Sequence, residues 1–410
     1  MTEQPTVVKL ESTDFASPQT IYAKTGVTEG CVRVILPDGM PSWLAVGQRA
    51  VEAVFANRDL VRSADAADPT IRRFLSLAGD FPLAQHILFA DDEDHRRMKS
   101  VLNDAFIRKN VEPLRSWMTT FVDGLIDSFI EAGRTDYVTS VALPLPIAVI
   151  SRILGVEEAD QADFEANASV ITGVGNDLDQ SAIFTAGTWF YDFSGELLAR
   201  RRVEPREDVM TTMAHAVDEG RLTEVEARSN TFLFLSAGYE TTVNLLANGL
   251  LALLNHPEQL SRALAHGDAK STALLVEELL RFDSPVSAVT YRFARSKVSI
   301  GDATIAPGEH VAIALPTANH DEAVIQCPAR LDVARKPNPH LSFGKATHFC
   351  LGAPLARLEG EVAFRRTLDR LEGLRLDARA EDLVWLNSIT VHRLTSLPIR
   401  FDPSTRVGRG

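Results

Sequence analysis

The stretch Phe343-Gly344-Lys345-Ala346-Thr347-His348-Phe349-Cys350-Leu351-Gly352, followed by Ala-Pro-Leu-Ala-Arg-Leu-Glu-Gly360, sets a cysteine in a glycine-rich loop just ahead of a helix. Leu351, Leu355, Leu358 and Val362 keep helical spacing, so the loop enters a helix N-terminus at Cys350. Backbone N–H groups and the positive end of the helix dipole favour thiolate over thiol there. A thiolate is a soft, strongly donating ligand for iron, and one such cysteine can hold haem from one side. An isolated free cysteine is ordinarily a small buried hydrophobe, which is the reading for Cys31 and Cys327. The loop sets Cys350 apart.

Upstream, Thr223 and Glu226 form a capping-box pattern and Pro257 supplies a stop, which predicts a helix from Thr223 to His256. Such a helix spans on the order of 50 Å and demands a large domain. Between Phe232 and Leu254 it is apolar on nearly every face, yet Glu240, Asn244 and Asn248 argue against a membrane span, so a buried central helix is expected. Inside it, Ala237-Gly238-Tyr239-Glu240-Thr241-Thr242 puts a glycine, two adjacent threonines and a carboxylate where none is locally favoured. Either Gly238 admits a close approach while Glu240 and Thr241 handle protons, or Thr241 bonds back to the carbonyl of Ala237 at a structural kink. Further on, Glu277-Glu278-Leu279-Leu280-Arg281 places Glu278 and Arg281 on one helix face, a weak signal by itself.

The whole chain has 410 residues, 45% hydrophobic and 24% charged, enough to bury a sizeable core and unlike a disordered or fibrous protein. With 42 basic and 55 acidic residues its net charge is −13, which argues against nucleic acid and anionic membranes as partners. Three scattered cysteines build neither a disulfide framework nor a four-cysteine zinc site, and a cytoplasmic location is expected. The polar segment Met1 to Ser17 reads as neither a secretion signal nor an anchor. Cys31 to Val46 alternates around Pro-Asp-Gly as a hairpin, and Val298 to Leu315 alternates as a small sheet. The rest up to about Leu280 is mostly helical. The expected organisation is a flexible leader 1–20, a single domain 21–403 and a flexible tail 404–410, mainly α with a small β subdomain.

In this order and at these separations, the three motifs resemble the cytochrome P450 thiolate-haem monooxygenases, most closely the soluble bacterial ones. The resemblance implies haem b, iron protoporphyrin IX, between the long central helix and the cysteine-loop helix, with O2 as co-substrate. It makes Cys350 the axial iron ligand, with Phe343 beside the sulfur and Gly344, Leu351 and Gly352 completing the cradle. Thiolate donation favours O–O cleavage in this family. It makes Glu240 and Thr241 the acid and alcohol that deliver protons, beneath a groove at Ala237 and Gly238. His95, Lys99, Arg292 and His348 fall at propionate-binding positions, and Glu278, Arg281 and Arg330 at those of a buried structural network.

Three departures accompany the match. Ala346 stands where the family usually has glycine, so the turn must avoid positive φ or tolerate it. Lys99 and His320 replace common arginines. Substrate contacts implied by the resemblance include Leu83, Leu88, Val174, Leu233, Tyr239, Val286, Val289 and Ile389, an apolar set that suits a steroid, terpenoid, macrolide or fused aromatic. No flavin or nicotinamide fingerprint occurs, so electrons are expected from a ferredoxin and its reductase. Arg96, Arg97, Lys99, Arg108, Lys109, Lys345 and Arg357 are candidates for the docking patch. A monomer is expected. The rival readings are a non-catalytic thiolate-haem sensor or ligand carrier, and peroxide-driven chemistry on the same fold.

Overall fold

A computed structural model of the chain describes residues 7–72, 82–171 and 180–403. They build a mainly α fold with small sheets, in two compact units: residues 1–79, 244–350 and 374–397 form the first, and residues 80–243, 351–373 and 398–410 the second.

The first unit carries a five-stranded sheet. Its strands β1 (Val8–Lys9), β2 (Gly30–Ile35), β3 (Pro41–Val46), β4 (Ala288–Val289) and β5 (Val311–Ala314) lie in the order β1-β2-β3-β5-β4. Strands β2 and β3 are the expected hairpin, with Ile35 opposite Pro41 and Gly39 at φ +88° in the turn, where a side chain would be strained. The second alternating block does not form one sheet. Val298–Ile300 and Ala303–Ile305 pair with each other, whereas β5 runs parallel to β3 and antiparallel to β4. The reason is burial: all four residues of β5 are buried, so it needs a strand on either side.

Residues 8–20, expected within a flexible leader, are built into this unit. Val8 pairs in parallel register with Val34, Leu10 and Phe15 are fully buried, and Pro18–Thr25 is a helix. Leu10, Phe15 and Ile21 cover the end of the sheet, a role their polar neighbours conceal in the sequence.

The second unit is helical, with Asp92–Phe106, Leu114–Asp127, Pro144–Leu154, Gln180–Val203 and Ala353–Arg370 its main helices. The long helix, Glu224–Leu254, belongs to the second unit up to Val243 and to the first beyond it. Its capping box is complete: the Thr223 N–H donates to Glu226 at 2.8 Å and the Glu226 N–H to Thr223 Oγ1 at 3.1 Å. Pro257 opens the next helix, Pro257–Ala265, in its first turn, where its missing N–H costs nothing. Arg97 grips Glu226 through two bonds of 2.6 and 2.9 Å, fixing this helix start to Asp92–Phe106. Among the described residues no helix is long and apolar enough to cross a membrane.

Candidate active site

The cysteine loop hangs from the first unit by backbone bonds. The Cys350 N–H donates to the Phe343 carbonyl at 2.9 Å, and the Gly344 N–H to Leu341 at 2.8 Å. Gly344 takes φ +70°, and Ala346, on one turn of 3-10 helix, takes φ +60°. The loop therefore keeps the glycine-type turn and tolerates it in alanine. Phe343 is buried while Cys350 is exposed, so the thiol is presented and the phenyl ring is anchored beneath the loop. Lys345 points away to Glu52, at 2.8 Å. Immediately after the cysteine, the Gly352 carbonyl accepts from Ala356 at 2.9 Å and opens the helix Ala353–Arg370.

In the second unit, the long helix is buried at Leu235, Tyr239 and Val243, but Ala237 is exposed and Glu240 and Thr241 are half-exposed. These positions, spaced three and four apart, lie on an accessible part of the helix that also takes in the half-exposed Phe232, Ser236 and Gly238. Thr241 Oγ1 donates to the Ala237 carbonyl at 2.8 Å, and Thr242 Oγ1 to that of Gly238 at 3.1 Å. The back-bonding alternative thus describes the geometry of Thr241. What approaches Gly238 is Ile150, whose Cδ1 would lie 3.1 Å from an added Cβ. Glycine here admits a neighbouring helix.

The comparisons with known proteins agree with this geometry. A family model described as Cytochrome P450 matches residues 270–380. Over 374 residues the chain is 35% identical to Cytochrome P450 107B1 of Saccharopolyspora erythraea, covering 90% of this chain and 91% of that one. The chain belongs to the cytochrome P450 family. It is also 33% identical over 378 residues to 6-deoxyerythronolide B hydroxylase of the same organism, covering 89% of this P450 and 91% of the relative. The solved structure of the tirandamycin C-bound P450 monooxygenase TamI superposes with a TM-score of 0.86 at 32% identity, covering 96% of this chain and 100% of that one. The protein is a P450 monooxygenase, an oxidoreductase whose family uses haem and O2.

Each unit carries residues with the chemistry that suits a haem. In the first, Cys350 offers an exposed soft donor, and in the second, the small side chain of Ala237 leaves the long helix accessible. Arg292 is buried in the first unit, where its Nη1 donates to the Leu60 carbonyl at 3.0 Å and its guanidinium lies 5.6 Å from the Phe55 ring. His95 is buried in the second unit, with Lys99 half-buried one turn further along the same helix. His348 is half-buried in the cysteine loop.

Elsewhere in the first unit, Glu278 and Arg281 pair in full burial. The network differs from the expected one in its third member. Arg330 is exposed and contributes its carbonyl, which accepts from Arg281 and Arg335 at 3.3 and 2.7 Å. The second guanidinium on Glu278 is that of Arg335, at 3.0 and 3.1 Å.

The substrate candidates divide. Tyr239 and Leu83 are buried, so packing occupies them, whereas Leu88, Val286, Val289 and Ile389 are half-buried. Leu233 is buried on the long helix, one turn before the accessible strip. The segment carrying Leu83 and Leu88 is tied to that helix by the Ile87 N–H, which donates to Asn230 Oδ1 at 3.1 Å. Val174 lies outside the described residues. Among the basic docking candidates, Arg97 is committed to Glu226 and Lys345 to Glu52.

One acid escaped the sequence reading. Glu359, on the cysteine-loop helix, is buried and hydrogen-bonded to Thr242, and burial pushes its carboxyl up to about 8. Its position four after Leu355 and three before Val362, inside the apolar stripe, was the available signal.

Proposed function

We propose that this P450 inserts one atom of O2 into a medium-sized apolar substrate, with electrons delivered by a ferredoxin and its reductase. The observation that carries the reading is the accessible strip at Ala237, Glu240 and Thr241 on a helix buried at Leu235, Tyr239 and Val243. A carboxyl and a hydroxyl stand side by side in an apolar helix at positions where helix propensity gives no reason for the glycine and paired threonines around them. A pure binder has no use for them, which sets the sensor and carrier reading aside.

Haem b, held through Cys350, would supply the site at which O2 is bound and reduced. His95, Lys99, Arg292 and His348 would hold its propionates, offsetting two carboxylates in a chain of net charge −13. By the family resemblance, Gly344, Leu351 and Gly352 would shape the loop round the sulfur and Phe343 would pack beside it. The Thr241 hydroxyl proton rests on the Ala237 carbonyl in this structure. Turning it toward the oxygen side exchanges one neutral hydrogen bond for another, a change worth about 1 kcal/mol, so the hydroxyl can serve as a relay at little cost. Glu240, one residue away and half-exposed, is placed to return the proton from solvent.

By the family resemblance, the half-buried Leu88 in the second unit and Val286, Val289 and Ile389 in the first would contact an apolar substrate. Similarity to a 6-deoxyerythronolide B hydroxylase and a tirandamycin C-bound monooxygenase favours macrolides and related polyketides within that class. The test is the carbon monoxide difference spectrum of the reduced holoprotein beside a Cys350→His variant, followed by titration with macrolides and steroids. A thiolate-type Soret maximum that is lost in the variant is expected, with a spin shift on adding a macrolide. A histidine-type maximum in the wild type would sink the assignment.

A further inference from the structure

Within the first unit, away from the cysteine loop, the end of the helix Ala269–Phe282 and the residues after it close one side of a cavity of about 220 Å³, room for roughly seven waters. Phe15, Pro18, Phe282 and Pro316 give it apolar walls, and the exposed Ala16 and Gln19 stand at its mouth. Its polar groups are Asp283, Ser284, Ser287, His320 and His392. Ser284 is 5% exposed, and its hydroxyl has no hydrogen-bond partner; the same holds for His392 Nδ1, which borders the cavity. Asp283 accepts from Asn248, whose amide also donates to the His392 carbonyl at 2.8 Å and so fixes that wall.

We propose that this cavity is a binding site for a compact organic ammonium ion, its charge on the Asp283 carboxylate, an N–H on Ser284 Oγ and its carbon body between Phe15 and Phe282. The sign of the charge follows from the lining. Asp283 is its one acid, and no lysine or arginine lines it. The guanidinium of Arg281, next to Phe282 in the chain, is spent on Glu278 and on the carbonyls of Asn319 and Pro328. Burial, chiefly, lowers both His320 and His392 to about 4, so at neutral pH they bring no positive charge to an anion. A cation finds a carboxylate and uncommitted acceptors, and the aromatic and proline walls favour one with an apolar body over a bare metal ion. Burial raises Asp283 to about 7, so a bound ammonium would also hold it ionised. Because Ser284 and Ser287 flank Val286, occupancy would stiffen a segment assigned above to substrate contact. The binding site itself does not depend on that assignment.

The probe is ethylammonium chloride, titrated calorimetrically into the ferric holoenzyme while the Soret band is followed, since an amine can also ligate iron. Expected is saturable binding at pH 8 with an unmoved Soret band, weaker at pH 6 where Asp283 takes up a proton, and at least tenfold weaker in Asp283→Asn. Ser287→Leu, which fills the cavity and leaves every ion pair in place, should abolish it. Absence of binding at pH 8, binding that persists in Ser287→Leu, or binding that always accompanies a red-shifted Soret band would overturn the proposal.

Discussion

Glu278 and Arg281 meet through two parallel hydrogen bonds of 2.8 Å, with neither side chain exposed to solvent. Glu278 also receives Arg335, the Asp332 N–H at 2.9 Å and Asn338 at 3.2 Å, so a single carboxylate neutralises two guanidinium groups. Removing its charge in Glu278→Gln leaves both cations uncompensated, a loss of about 3–5 kcal/mol. Chemical denaturation of the holoprotein should show it. Arg330→Ala keeps the carbonyl that the network uses and should change stability by no more than about 0.5 kcal/mol, whereas Arg335→Ala should be clearly destabilising.

Ala346 sits at φ +60° in the cysteine loop, a conformation that opposes its methyl group. Ala346→Gly should stabilise the protein by up to about 1 kcal/mol, because relief of the left-handed strain exceeds the added freedom of the unfolded chain. The check is the thermal midpoint of the haem-loaded protein. A lowered midpoint would mean that the loop owes its rigidity to the alanine.

The cysteine loop and the long helix were legible in the sequence because each depends on local signals: glycine and cysteine spacing, a capping box and an unbroken apolar run. The Arg335 partner of Glu278 was not, since it arrives from 57 residues away and nothing in Pro328-Ala-Arg-Leu-Asp332 tells which guanidinium turns inward. The buried leader was missed for a similar reason. Leu10, Phe15 and Ile21 have no common period, and only the sheet end they cover gives them one face. At Gly238 the sequence left a close approach and a helix kink both open, and that Ile150 is what comes close is tertiary information.

Thr242 has a single hydroxyl proton, and it goes to the Gly238 carbonyl. Glu359 also lies beside Thr242, a contact that favours its carboxylate, but burial outweighs it and raises the carboxyl to about 8. Unfolded, the group would titrate near its ordinary value of 4.5. Between those values the native state binds the extra proton, so the contribution of Glu359 to stability is greatest below about pH 4.5 and is lost as pH rises through 8, an amount on the order of a few kcal/mol. Glu359→Gln keeps a polar group beside Thr242 and removes the titration. The variant should match the wild type near pH 5 and exceed it at pH 8.5 in denaturation experiments. Parallel pH profiles for the two proteins would show that Glu359 is ionised in the fold.

Thr241 separates the proposed chemistry from a structural role. Its bond to the Ala237 carbonyl is a local brace, and if that were its whole purpose Thr241→Ala would cost about 1 kcal/mol of stability and leave turnover alone. If the hydroxyl relays protons from Glu240, the variant should still consume NAD(P)H and O2 while product formed per O2 falls by about tenfold or more, the missing oxygen appearing as peroxide. Thr241→Ser restores the hydroxyl and should recover most of the coupling. Measuring O2 uptake, peroxide and product together, with the substrate that gives the largest spin shift, distinguishes the two. Unchanged coupling in Thr241→Ala would reduce the residue to a helix brace and leave the accessible strip without a proton donor at its centre.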